Sequence, residues 1–255
     1  LPYFTNIITG LLFGGQVSCV WLYERGQRLG GQLIPAAIPP GEDVLEPFTE
    51  YLVGQMNQLG VQVELEKEVT PELVGKLKPD AVVIATGMTP SIPEIAGLDK
   101  ERAVFAPEVL LGGPEVGKNV VIMGGGMVGC ETAEFLVDKG KKVTILEASP
   151  RIAADMVVMR RLPMRANLQA KGVTMLAGVT CEEVTQTGVV ITTKEGKKQT
   201  ILADTIVIGN GRNPNKDLYK ALEGKISEIY LVGDAVEPHG IFEAIHDGFR
   251  IGRTI

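Results

Sequence analysis

Apolar and polar positions follow one another along this chain in two ways. Short apolar runs bounded by glycine or polar turns recur between longer stretches with helical spacing, the pattern of a parallel sheet with helices on its faces. The fold class is therefore expected to be α/β. Cys19-Val20-Trp21-Leu22-Tyr23 is a predicted strand ending at Glu24, followed by a polar loop through Arg28-Leu29-Gly30-Gly31-Gln32. Pro39-Pro40-Gly41 stops any helix there and leads into a predicted helix over 44–59. Val61-Gln62-Val63-Glu64-Leu65 alternates as a half-buried strand does, whereas Ala81-Val82-Val83-Ile84-Ala85 is apolar throughout, as in a strand buried on both faces.

The stretch 90–98, rich in Pro and Gly, is a predicted connection between structural units. A second unit follows, with a strand Asn119-Val120-Val121-Ile122-Met123, a helix over 127–139 ended by Gly140, and a strand over 142–146. That is the start of a βαβ unit. Past Gly172, further strands are predicted at 173–176, 189–192 and 205–208, with Gly188 and Glu195-Gly196 as turns. Ile229-Tyr230-Leu231-Val232 and a helix from Ile241 close the chain.

Composition narrows the classes. With 255 residues, 45% hydrophobic and 22% charged, the chain suits a globular protein of one large or two ordinary domains. Its net charge of −6, without a long basic run, argues against nucleic acid or an anionic membrane as partner. Cys19, Cys130 and Cys181 form no Cys-x-x-Cys pair, which speaks against a local zinc site or dithiol centre and fits a reducing cytoplasm. The apolar pieces before Glu24 lack the basic start of a signal peptide. They also fall short of the roughly twenty unbroken apolar residues of a membrane span, so buried core is expected there. A chain that opens on Leu1 rather than Met is expected to be a fragment.

The sharpest chemical signal is Gly124-Gly125-Gly126-Met127-Val128-Gly129, placed between a predicted strand and a predicted helix. Gly124 permits the tight turn, Gly126 lets backbone approach a pyrophosphate, and Gly129 allows close helix–strand packing. The helix N-terminus then offers unpaired N–H groups to the phosphates. Glu147, at the end of the next strand, stands where a carboxylate accepts hydrogen bonds from a ribose diol. A carboxylate there accepts from a 2′-hydroxyl and repels a 2′-phosphate, which favours NADH over NADPH, although Arg151 in the following loop could swing toward a phosphate. Ala85-Thr86-Gly87 and Val232-Gly233-Asp234 place small residues and one carboxylate at the carboxyl ends of two more strands, where ligands of open α/β sheets bind. Asp234 as a cap of the following helix is the alternative.

These motifs, with Arg28-Leu29-Gly30-Gly31-Gln32 and Tyr230-Leu231-Val232-Gly233-Asp234-Ala235, resemble in order and spacing the flavoproteins with two dinucleotide-binding domains. More narrowly, the chain resembles the C-terminal FAD- and NAD(P)-binding half of the old yellow enzyme-like NADH:flavin oxidoreductases, which include 2,4-dienoyl-CoA reductase and trimethylamine dehydrogenase. The resemblance implies two Rossmann-like domains, the NAD(P) domain over 107–210 inserted into an FAD-type domain split into 1–106 and 211–255. It implies that Glu24, with Arg25 beside it, holds the FAD adenosine ribose, and that Leu29, Gly30, Gly31 and Gln32 pass the flavin. Ala85, Thr86 and Gly87 belong to the FAD side, and Asp234, after Gly233, would bond the ribityl or pyrophosphate. N–H groups at the start of the last helix would face the flavin's pyrimidine edge, where negative charge develops as hydride arrives. Glu131 would contact a nicotinamide carboxamide, or else is a first-turn acid favoured by the helix dipole.

The implied reaction is hydride transfer from nicotinamide to flavin, with electrons passed to a barrel domain carrying FMN and an iron–sulfur cluster that this chain lacks. No catalytic side chain and no metal ligand is assigned. One departure stands out. Counting back from Glu24 by the interval between Gly124 and Glu147 lands on Leu1-Pro2-Tyr3-Phe4-Thr5-Asn6, which contains no glycine. Flavin is therefore expected to be absent or substoichiometric, and a non-catalytic module holding ADP or NAD is the alternative function. A simple alcohol-type dehydrogenase would leave the Ala85 and Asp234 motifs unexplained. Of the two histidines, His239 and His246, the first, between Pro238 and Gly240 at a helix start, is expected as a solvent-facing loop histidine, with a place beside the flavin as the alternative, and Met156, Met159 and Met164 are expected as core or surface filler.

Overall fold

A computed structural model describes residues 19–99, 102–209 and 211–255. The apolar stretch expected as core ahead of Glu24, and the counted-back segment 1–6, lie outside the described residues. The chain divides into two compact units, one made of Leu1–Ala37, Asp43–Thr89 and Arg212–Ile255, the other of Ile38–Glu42 and Pro90–Gly211.

The first unit opens with strand β1 (Trp21–Tyr23), a short helix α1 (Leu33–Ala36), helix α2 (Leu45–Gln58) and strand β2 (Gln62–Glu64). The strands β1 and β2 pair in parallel, Leu22 opposite Val63. Helix α2 turns Leu52 and Met56, one helical turn apart, onto Leu22, Leu29 and Leu33. Helix α3 (Pro71–Leu77) has clear local causes at both ends. Thr70 accepts from the Leu73 N–H, Pro71 sits where a missing N–H costs nothing, and Lys78 closes the helix in the left-handed region. Strands β3 (Ala81–Ile84) and β4 (Met88–Pro90) end this segment.

The second unit begins with β5 (Ala103–Phe105), helix α4 (Ala106–Leu110), β6 (Asn119–Met123), helix α5 (Met127–Asp138), β7 (Lys142–Glu147), helix α6 (Val158–Ala170) and β8 (Thr174–Ala177). Strands β9 (Thr180–Thr185), β10 (Gly188–Thr192), β11 (Lys198–Leu202) and β12 (Thr205–Ile208) complete it. A five-stranded sheet in the order β5-β12-β6-β7-β8 is parallel at every pairing. Its central strand shows why the sequence there is an unbroken apolar run. Val120 and Ile122 face one core, shared with Cys130, Ala133 and Leu136 of α5, while Val121 and Met123 face another, shared with Val189 and Ile191 of β10. A strand covered on both faces has no polar side. The cover on the second face is an antiparallel sheet, β11-β10-β9, irregular between Val190 and Ile191.

The chain then returns to the first unit through β13 (Arg212–Pro214), helix α7 (Asp217–Leu222), β14 (Glu228–Leu231), a 3-10 turn (Gly233–Ala235) and helix α8 (Ile241–Gly252). β14 pairs with β3 in parallel, Tyr230 opposite Val83, and β13 pairs with β4. The fold is α/β with a parallel sheet, as the apolar pattern predicts. The expectation that 81–85 is buried on both faces is only half met. Ile84 and Ala85 are buried while Ala81, Val82 and Val83 remain partly exposed, since among the described residues β3 pairs with β14 alone. No described helix is long and apolar enough to cross a membrane.

Candidate functional site

The Gly124 string forms the sharp turn between β6 and α5. Gly124 has φ of 104°, open to glycine and strained for other residues, and its N–H donates to Leu146 O at 2.8 Å. Packing accounts for the other glycines. A Cβ at Gly129 would stand 1.9 Å from Gly124 O, so the helix can approach the strand only without a side chain there. A Cβ at Gly125 would meet Ile152 Cδ1 at 2.8 Å and Glu147 Cβ at 3.0 Å. At Gly126, the N-cap of α5, it would meet Asp155 Oδ2 at 2.7 Å. Met127 and Val128 begin the helix, their N–H groups among those that no helix can pair internally.

Glu147 is held in place by backbone. Its Oε2 accepts from Gly125 N–H at 2.6 Å and its Oε1 from Ser149 N–H at 2.7 Å, tying the end of β7 to the glycine turn. Each carboxylate oxygen keeps a second lone pair for a further donor such as a ribose hydroxyl. Arg151 lies in the same loop with its side chain exposed and forms no ion pair among the described residues. The loop is pinned to the turn by Ala153 N–H, which donates to Gly125 O at 2.6 Å, and Ile152, Ala153 and Met156 are buried beneath it.

Glu131, one turn into α5, is a buried residue. Its Oε1 accepts from Arg160 Nη2 at 2.8 Å, and the same guanidinium nitrogen donates to Glu42 Oε1. Burial pushes the Glu131 carboxyl up to about 7, against the pull of Arg160, and Glu42, Asp155 and Glu134 add to the rise. Residues 38–42, although early in the sequence, thus join the second unit through an ion pair. Further along α5, Glu134 is met by Asn167 and by Lys171 Nζ, the latter at 3.0 Å.

In the first unit the carboxylate of Glu24 ends β1 almost wholly buried, at 1% exposure. Gly26 N–H donates to its Oε1, while Oε2 has no partner among the described residues. Burial raises its carboxyl above the ordinary range, with the Gly26 N–H and Arg25 pulling it down. An orphaned buried carboxylate oxygen is costly unless something donates to it, so this atom suits a ribose hydroxyl. Arg25 is exposed. Leu29, Gly30 and Gly31 are buried and Gln32 half-buried, Gly30 and Gly31 having φ of 125° and 48°. They turn the chain into α1 through Leu33 N–H to Gly30 O, 2.9 Å.

Ala85, Thr86 and Gly87 follow β3, and Thr86 Oγ1 donates to Asn215 O at 2.6 Å, while Asn215 N–H donates to Gly87 O at 2.7 Å. Gly233 and Asp234 open the 3-10 turn after β14. Asp234 Oδ1 accepts from His239 N–H at 3.1 Å, and burial raises its carboxyl, with that N–H and Arg212 opposing the rise. It therefore stabilises the loop before α8 and does not cap the helix itself. Gly240 N–H at the start of α8 goes to Glu243 Oε2, 3.1 Å. The His239 side chain is half exposed beside Glu237, and His246 packs on Phe242. Met156 is core, and Met159, 88% exposed, is surface.

Three side chains that sequence reasoning passes over stand at the second unit's turn or against its helix: Asp155, Arg160 and Glu42. Asp155 lies in a loop with no spacing rule, and Arg160 sits on a helix whose pattern Pro163 interrupts. Glu42 hides behind the Pro39-Pro40-Gly41 turn.

The sequence of this chain is 38% identical over 253 residues to the NADH oxidase of Thermoanaerobacter brockii, covering 97% of this chain and 38% of that protein. It is 32% identical over 264 residues to the metal reductase of Desulforamulus reducens, covering 91% of this chain and 39% of that protein. The fold superposes with a TM-score of 0.95, at 30% identity, on a 2-naphthoyl-CoA reductase complex with 2-naphthoyl-CoA, covering 99% of this chain and 38% of that one. The chain thus spans well under half the length of these relatives. The profile of the pyridine nucleotide-disulphide oxidoreductases matches residues 22–248, and the chain belongs to that family.

Proposed function

We propose that this chain is the nucleotide-binding part of a flavin-dependent NAD(P)H oxidoreductase of the old yellow enzyme-like type. The observation that carries the proposal is the turn at Gly124, where glycines required by packing, a helix N-terminus and a backbone-held Glu147 converge. In this reading the second unit holds the nicotinamide dinucleotide. The N–H groups at the start of α5 take the pyrophosphate, Glu147 takes the adenosine ribose, and Glu131 lies toward the nicotinamide. The first unit holds FAD, with Glu24 at its ribose, the loop of Leu29 to Gln32 beside the flavin, and Asp234 near the ribityl chain. The family binds FAD and NAD(P)H, which supports both assignments.

FAD supplies the acceptor for a hydride from nicotinamide. The chain's own residues bind and orient. Glu24 contributes an acceptor that no described protein donor fills, and the start of α8 brings N–H groups and the positive end of a helix. The greater length of the relatives supports a further domain in the whole protein, read as a barrel with FMN and an iron–sulfur cluster to which electrons pass. NADH is the preferred nucleotide, since a 2′-phosphate would meet the Glu147 carboxylate. A second reading, a module that holds ADP or NAD without a working flavin, is favoured by one observation, the absence of glycine from residues 1–6.

Titration of the purified protein with NADH, NADPH and ADP tests the proposal. NADH should bind, NADPH should bind more weakly, and Gly126→Val should lose at least about tenfold in NADH affinity by placing a side chain where phosphate approaches. An unchanged affinity in Gly126→Val would refute the site. Visible flavin absorbance separates the two readings, a stoichiometric flavin favouring the first and its absence the second.

A further inference from the structure

Among the described residues, two carboxylates are bonded to the glycine turn, Glu147 through the Gly125 N–H and Asp155 through the Met127 N–H. The Met127 N–H, the first of helix α5, is directed at the Asp155 carboxylate, 3.0 Å from Oδ1 and 2.9 Å from Oδ2. The same carboxylate is what a methyl group at Gly126 would strike. Space kept clear by a glycine, and an N–H at the positive end of a helix, are what an approaching phosphate needs. Here a carboxylate of the chain itself uses both.

The backbone that carries Asp155 is anchored by buried neighbours, while its exposed side chain is held by the Met127 N–H. Ala153 N–H bonds Gly125 O, Met156 N–H bonds Ala153 O at 3.1 Å, and the side chains of Ile152, Ala153 and Met156 are buried around it. Ala153 accepts a φ of 56°, an unfavourable left-handed conformation for alanine, to make this bend. Asp155 itself is exposed, so rotation about its own side-chain bonds can release Met127 N–H without disturbing the loop. The Cys130 thiol inside α5 is pushed up to about 12, mainly by burial and in smaller part by the Asp155, Glu131 and Glu147 carboxylates, with Arg165 opposing the rise.

We propose that Asp155 is a built-in stand-in for the pyrophosphate: its carboxylate occupies the phosphate position of the free protein and must swing away for a dinucleotide to bind, so that this one side chain sets nucleotide affinity. The inference rests on the reading of the Gly124 turn as a dinucleotide site. Two anions cannot share Met127 N–H, and a carboxylate left nearby repels the entering phosphates. An asparagine of the same shape still accepts from Met127 N–H through its amide oxygen, so the helix keeps its cap and only the charge is lost.

The test is titration of the parent, Asp155→Asn and Asp155→Ala with NADH, ADP and adenosine, with the thermal midpoint of each protein measured alongside. Asp155→Asn should bind NADH and ADP about five- to tenfold more tightly than the parent, the scale of one removed charge near a protein surface, and bind adenosine no differently. The gain should shrink as salt is added. Asp155→Ala should show the same gain even where the lost cap lowers its midpoint. If the parent binds NADH and both variants bind it equally or more weakly, Asp155 is a helix cap only and the inference fails. A gain for adenosine as large as that for ADP would also overturn it, because the effect would not concern phosphate. If neither the parent nor any variant binds NADH, the dinucleotide reading of the turn fails and takes the inference with it.

Discussion

Glu131 illustrates how much a single side chain changes between its position in sequence and its position in the fold. Sequence places it in the first turn of a helix, and only the structure buries it against Arg160 and Glu42. Its carboxyl, raised from 4.5 to about 7 chiefly by burial, has a consequence for stability. Between those two values the unfolded chain gives up the proton while the folded chain keeps it, so rising pH favours unfolding across this window and this group adds no slope outside it. Glu131→Gln keeps an acceptor for Arg160 and removes the titration. Urea midpoints measured from pH 4.5 to 7.5 should therefore fall with pH in the parent and fall less in the variant, and parallel slopes would show that Glu131 titrates normally. At this scale the glycines were legible, since turn and close approach allow few other residues. Asp155 and Glu42 were not, because their partners lie in other segments and no local pattern announces them.

Among elements, strands buried on both faces and helices with a clean start were the easiest to read. β6 and β12 fall where their apolar runs predict, and α5 begins at Met127, directly after the glycines. Helix α6 escaped notice for a physical reason. Pro163 lies inside it, and Val157, Val158, Met159 and Leu162 at its start are exposed, so neither propensity nor an apolar stripe marks the segment. A proline within a helix removes one hydrogen bond and crowds the preceding turn, and Pro163 is exposed, with little packing to compensate. Pro163→Ala should stabilise the protein by about 1–3 kcal/mol, seen as a higher thermal midpoint. A lower midpoint would mean that the ring has a packing role. The two-stranded pairing of β3 with β14 was equally hidden, since each strand's partner lies on the far side of the inserted unit.

At the scale of the whole molecule, the α/β class was legible in the alternation of apolar runs with helical stretches, whereas which strands pair was not. If the second unit holds the dinucleotide, ligand binding stabilises that unit first. At a nucleotide concentration a hundred times the dissociation constant, the gain is about 2.7 kcal/mol. Amides of β6 and β7 that exchange through global opening of that unit should then slow about a hundredfold in hydrogen exchange, while those of β1 and β2 keep their rates. Equal slowing in both would show that the units open together. The way the insertion is attached carries a further consequence. Ser91 N–H bonds Gly211 O at 2.8 Å, and Thr86 Oγ1 bonds Asn215 O across 129 positions of sequence. Once the inserted unit has formed, its two ends lie together, and the surrounding unit closes a gap no wider than a tight hairpin. The entropic penalty of joining distant segments is then met inside the insertion, by contacts that emerge from the ribosome before β14 is made. Amides of β6 and β7 should accordingly gain protection from hydrogen exchange before those of β3 during refolding, and simultaneous protection would show that the insertion does not form ahead of the β3–β14 pairing.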